Sequence, residues 1–144
     1  MQSFRVNVVI DADVWVAGVR GVGDAKRVLH RCLEGHFRPL MAAALLAEYE
    51  DVLGRESIWR GTRLTAVERD EFLDIFLSIC QWTRIYYAWR PNLRDEGDNH
   101  VMELAVAGHA QYLVTRNVRD LRSGELRFPQ ISVVTPAQLL KECK

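Results

Sequence analysis

The stretch "NVVIDADVWVAG" (residues 7–18) decides how this chain is read. Val8, Val9 and Ile10 follow one another as β-branched apolar residues, so 5–10 ("RVNVVI") reads as a strand buried on both faces, like the central strands of a parallel sheet. The run meets Asp11-Ala12-Asp13 and resumes as Val14-Trp15-Val16, where the chain turns straight into a packed helix. In open parallel sheets, ligands bind at the carboxyl ends of the strands near the topological switch point. Asp11 and Asp13 stand at such an end.

Outward from this unit, strands and helices alternate. "GVRGVGD" (18–24) reads as a flexible glycine-rich loop, and a helix follows with Asp24 as N-cap and Gly35 as its stop. "FRPLM" (37–41) is a second strand, which Pro39 assigns to an edge or a strand start. "AAALLAEYEDVLGRES" is a helix of strong helix formers. Thr65 and Glu68 form a capping-box pattern before a helix whose Phe72, Ile75, Phe76 and Ile79 share an apolar face. "TRIYYAW" (83–89) predicts a third strand. Asp98 opens a helix that Gly108 stops, and 112–115 and 131–134 predict two more strands. Pro136 starts the last helix. The alternation implies one α/β domain over 1–144, with a mostly parallel five-stranded sheet and helices on both faces.

Composition narrows the class. The chain is 49% apolar and 26% charged, which is globular rather than disordered. Lys+Arg and Asp+Glu balance at 19 each, so net charge selects no polyanionic partner. Local clusters stand out instead: Arg84, Arg90 and Arg94, then Arg116, Arg119, Arg122 and Arg127. The 3 cysteines are far apart and odd in number, which argues against a disulfide framework and for a reducing cytoplasm. No apolar run approaches the ~20 residues of a membrane span.

The candidate chemistry lies in the acids. Asp11 and Asp13 follow the first strand; Thr115, Asn117 and Asp120 follow the fourth; Asp98 heads the helix before it; Glu48 lies on the helix after the second strand. Taken singly, each has an ordinary explanation as a helix cap, a turn former or a solvated helix residue. Taken together, acids from distant segments at one sheet edge would repel, and burial would raise their pKa values. A divalent Mg²⁺ or Mn²⁺ ion, which prefers hard oxygen ligands, resolves both problems. Two such ions ~4 Å apart can drive phosphodiester hydrolysis. Competing motifs fail: Asp24 stands where a phosphate loop needs lysine, no serine occupies a nucleophile elbow, and the histidines lack zinc spacing. His30, His36 and His109 are assigned to the surface; His100 is set apart by lying two residues from Asp98.

"VVIDADVWVAG", "LLAEYEDVL", "RDEGDNHVMELAVAGHAQYLVT" and "TRNVRDL" follow in an order that resembles the PIN-domain nucleases, above all the toxin halves of prokaryotic toxin–antitoxin pairs (VapC-type). The likeness runs from Val6 to about Leu140. It implies a three-layer α/β/α sandwich and metal-dependent cleavage of RNA as an endoribonuclease, with one or two Mg²⁺ or Mn²⁺ ions. Asp11, Glu48 and Asp98 match the metal-ligating and catalytic acids. Asp98 is preferred to Asp95 and Glu96 for its distance to Ala105. Asn117 or Asp120 fills the last acidic position, and Thr115 is the small hydroxyl residue of the pattern. Two departures stand out. Asp13 occupies a position usually held by Asn, Ser or Thr, which makes it a possible additional ligand. Asn117 replaces a frequent carboxylate, which weakens the hold on a second ion.

For substrate and partners, Arg116 and Arg119 (with Arg122) are candidates to meet RNA phosphates. Tyr86, Tyr87 and Trp89 are candidates to stack on bases, although strand core suits at least two of them. The helices around 45–61 and after Thr65 carry apolar residues enough for an antitoxin or a homodimer face. Two alternatives remain. One is a non-catalytic PIN-like interaction module, suggested by Asp13 and Asn117. The other is a haloacid-dehalogenase-type phosphotransferase, suggested by the D-x-D after the first strand but with its downstream residues out of phase.

Overall fold

Val8 and Val9 are both fully shielded from solvent although their side chains leave opposite faces of the sheet, so the first strand is covered on both sides. The computed structural model describes residues 5–85, 99–119 and 130–144. Its elements run β1 (Val6–Ile10), α1 (Ala12–Val19), α2 (Gly23–Leu33), β2 (Phe37–Met41), α3 (Ala43–Leu53), a 3-10 turn (Glu56–Trp59), α4 (Ala66–Ile79), β3 (Gln81–Trp82), α5 (Asn99–Ala107), β4 (Tyr112–Val114), β5 (Ser132–Val134) and α6 (Pro136–Glu142). The five strands pair in the order β3-β2-β1-β4-β5, every pair parallel. This is the expected α/β/α sandwich.

The chain steps from β1 through β2 to β3, then crosses back to β4 and β5 on the other side of β1. The order reverses between β1 and β4, so the switch point lies at their carboxyl ends. The ladder continues one step past each strand there: Asp11 N–H donates to Val114 O (2.9 Å), Thr115 N–H to Val134 O (2.9 Å) and Thr83 N–H to Met41 O (2.9 Å). Right-handed crossovers put α5, which crosses back, on the sheet face opposite α1 and α2.

An aromatic cluster supports this edge. Trp15 of α1 stacks on Tyr49 of α3 at 4.6 Å, with Phe72 and Phe76 of α4 tilted against it. Trp15, Tyr49 and Phe76 are fully buried. Trp15 and Tyr49 thus fix α1 and α3 to each other.

Several expectations need correction. Gly18 belongs to α1 rather than to a loop. A Cβ there would lie 2.4 Å from Leu29 Cδ1, so the glycine serves the close approach of α1 to α2. The N-cap of α2 is Val22, and Asp24 sits in the first turn, bonded to Arg27. Strand β3 is Gln81–Trp82; residues 83–85 follow it, and 86–89 lie outside the described residues. Its place is set by pairing with Leu40 and Met41 rather than by its own β propensity. Strand β2 is internal, and Pro39 is tolerated because β3 pairs only beyond it. Ile75 is exposed, and the buried side of α4 carries Leu73, Phe76 and, unexpectedly, Arg69. The Arg69 guanidinium bonds Glu56 (2.8 Å) and lies over the Trp59 ring. Gly108 follows the last residue of α5, but His109 is the residue with positive φ (56°).

Other expectations hold as read. Thr65–Glu68 is a complete capping box, Pro136 opens α6 behind a second capping box at Thr135, and all three cysteines are free. Among the described residues no helix is long and apolar enough to cross a membrane.

Candidate functional site

The register of the central seam builds the site. Ile10 pairs with Val114, so the next residues, Asp11 and Thr115, face each other beyond the last paired rung. Both are buried. Asp11 Oδ2 accepts a hydrogen bond from the Thr115 hydroxyl (2.9 Å), and Asp11 Oδ1 accepts from Ala12 N–H (2.9 Å), which makes Asp11 the N-cap of α1. The structural and functional readings of Asp11 therefore coexist: the cap holds the carboxylate in one orientation. Thr115 Oγ1 in turn accepts from Asn117 N–H (3.0 Å), tying the loop after β4 to the same acid.

Asp13 lies in the first turn of α1, partly buried. Its Oδ1 is shielded from solvent and has no hydrogen-bond partner among the described residues. Burial pushes the Asp13 carboxyl above its ordinary pKa. The Val14 N–H and the charge and N–H of Arg116 pull the other way, and the Glu48 charge adds to the push. Asp13, Arg116 and Glu48 thus share one electrostatic neighbourhood.

Glu48 reaches this edge because its neighbour Tyr49 anchors α3. The Tyr49 hydroxyl donates to Ile10 O (2.6 Å), the carbonyl immediately before Asp11. Burial raises the Tyr49 pKa well above its ordinary value, so the phenol stays a neutral donor. Nothing in the sequence pairs residues 10 and 49; only the alternation of Tyr49 with Glu48 and Glu50 hints at an inward face. Glu48 Oε1 lies 2.8 Å from His100 Nε2, which ends the isolation of the one histidine set apart above. The other three histidines are exposed, as expected.

Arg116 and Asn117 are exposed in the loop after β4, Arg119 is exposed in the helical turn that follows, and Arg116 acts on Asp13. Asp98 and Asp120 lie outside the described residues, as do Asp95, Glu96, Tyr86, Tyr87, Trp89, Arg90, Arg94, Arg122 and Arg127. Among the described residues no three His, Cys, Asp or Glu side chains stand close enough to hold a metal ion by themselves. The donor chemistry nonetheless suits a hard divalent cation. All the acids offer oxygen, and Asp13 Oδ1 is a shielded carboxylate oxygen, unpartnered among the described residues and under the influence of Glu48.

Comparisons with known proteins follow the same line. No curated protein matches the sequence. Among solved structures, the fold is similar to a chain in the crystal structure of VapBC2 from Rickettsia felis bound to a DNA fragment from their promoter. The TM-score is 0.57 at 15% identity, covering 89% of this chain and 97% of that one. At that identity the likeness speaks for the fold. The family model that matches is that of the PIN domain, not a haloacid dehalogenase, and it spans residues 7–119. With Asp11, Glu48 and Thr115 inside a match over most of its length, this chain belongs to the PIN-domain family.

Proposed function

We propose that the chain is a divalent-metal-dependent endoribonuclease that hydrolyses RNA phosphodiester bonds in the cytoplasm as the toxin of a toxin–antitoxin pair, with a cognate antitoxin as its partner. The observation that carries this reading is the placement of Asp11 at the switch point. There its carboxylate is buried and oriented by Thr115, beside Asp13 and within the α3 framework that presents Glu48. PIN-family membership supports the nuclease part, and the likeness to a VapBC2 chain supports the pairing with an antitoxin.

Asp11, Glu48 and Asp98 are the residues that would hold Mg²⁺ or Mn²⁺, with Asn117 or Asp120 completing the set and Asp13 adding a further oxygen. When bound, the ion supplies the Lewis acidity that activates water and stabilises the leaving oxygen. Thr115 keeps Asp11 in place throughout, because its hydroxyl is itself held between Asp11 and the Asn117 N–H. Arg116, which acts on Asp13, and the exposed Arg119 receive the phosphate backbone; Arg116 also screens Asp13 from it.

The test is cleavage of single-stranded RNA with added Mn²⁺. Wild-type protein cleaves, chelation stops it, and Asp11→Asn and Asp98→Asn abolish it. Asparagine keeps the N-cap of α1, so Asp11→Asn changes the site more than the helix. Equal cleavage by wild type and variants, or none with any metal, overturns the assignment. Antitoxin binding without cleavage favours the interaction module instead.

A further inference from the structure

Glu48 is the candidate ligand most in need of support. Its side chain is 42% exposed on α3 and has the rotamer freedom of a long acid. The Thr115 hydroxyl and the Ala12 N–H both hold Asp11; among the described residues Glu48 is met by His100, 52 residues along the chain. His100 sits in the first turn of α5, its imidazole only 19% exposed, with Nε2 2.8 Å from Glu48 Oε1. The other ring nitrogen, Nδ1, is buried with no hydrogen-bond partner among the described residues.

Donor and acceptor requirements fix the tautomer. A carboxylate only accepts, so Nε2 carries the proton that bonds Glu48. An N–H on the enclosed Nδ1 would be a buried donor with no acceptor among the described residues, which costs free energy. Nε2 is therefore the nitrogen that donates to Glu48. We propose that His100 is a positioning residue: it binds Oε1 of Glu48, leaves Oε2 for the ion, and ties the head of α5 to α3. It does for Glu48 what the Thr115 hydroxyl does for Asp11. Partners of this kind, one step out from a ligand, set its orientation and basicity.

This inference rests on Glu48 being a metal ligand. Mn²⁺ titration calorimetry tests it directly. His100→Leu weakens binding by about 10- to 100-fold. His100→Gln, whose amide N–H reaches the same oxygen, recovers most of the loss. In a Glu48→Ala background, His100→Leu costs nothing further. Wild-type affinity in His100→Leu, no recovery in His100→Gln, or an undiminished loss in the Glu48→Ala background each overturns the proposal.

Ring ¹⁵N chemical shifts of the metal-free protein supply a readout free of metal and of the Leu variant's folding. They should report an Nε2–H tautomer whose hydrogen-bond signature disappears in Glu48→Ala. An Nδ1–H tautomer, or no change in that variant, overturns the tether. If wild-type protein shows the tether yet takes up no Mn²⁺, the metal reading fails and the His100–Glu48 contact stands.

Discussion

The two ends of the β1–β4 seam use the same ladder and treat polar groups in opposite ways. At the amino end Gln111 N–H donates to Asn7 O (2.9 Å), and the Gln111 side chain accepts from Asn7 N–H (3.0 Å). Every group in that exchange is neutral. At the carboxyl end the seam finishes in Asp11 and Thr115, with Asp13 bearing an oxygen unpartnered among the described residues and a raised pKa. A fold needing only to terminate two strands has the amino-end solution available. The other end instead concentrates carboxylates at the switch point and holds them rigidly, which costs stability and is characteristic of a functional site.

The largest expected effect would break the rigidity of that end. Trp15→Ala empties the stack on Tyr49 and should cost about 3–5 kcal/mol in denaturant unfolding. A loss below about 1 kcal/mol would show that the aromatic cluster does not support the edge. Tyr49→Phe is next: it leaves the buried Ile10 carbonyl without its donor and should cost about 1–3 kcal/mol. It should also weaken Mn²⁺ uptake by loosening α3 beside Glu48. A smaller effect of opposite sign belongs to Asp13. Its pKa is raised in the fold above the ordinary value of 3.8. The native state therefore holds the proton more tightly, and stability falls as pH rises from that value through the folded pKa. Asp13→Asn should raise the melting temperature of the metal-free protein at neutral pH, and the gain should fade as pH falls into the carboxyl range. A constant gain at all pH values would contradict a burial origin. The smallest effect sharpens the contrast from the other end. Gln111→Ala should stay within about 0.5 kcal/mol of wild type and leave Mn²⁺ binding unchanged.

Much of the scaffold could be read from local signals. The Val8-Val9-Ile10 run announced a strand covered on both faces, and Thr65–Glu68 announced a helix start through contacts only three residues apart. Strand β3 escaped because Gln81 and Trp82 pair by position beside Leu40 and Met41, whereas Ile85-Tyr86-Tyr87 carries the stronger local propensity. Arg69 escaped because the burial of a guanidinium depends on Trp59 and Glu56, which no helical period announces. In the candidate site, Asp11 was legible from the strand that ends at it. The Tyr49–Ile10 and His100–Glu48 contacts were not, since they join residues separated by 39 and 52 positions.

The sequence by itself determined the alternation of strands and helices, the strand that carries Asp11, and the residues able to offer hard oxygen ligands, because hydrophobic period, caps and side-chain chemistry are local properties. Only the tertiary structure decided that Asp11 meets Thr115 and that Asp13 has an oxygen unpartnered among the described residues, within the influence of Glu48. It also decided that His100 meets Glu48. These outcomes follow from strand register and from which helices meet across the sheet edge, and both are set by packing between segments far apart in the chain.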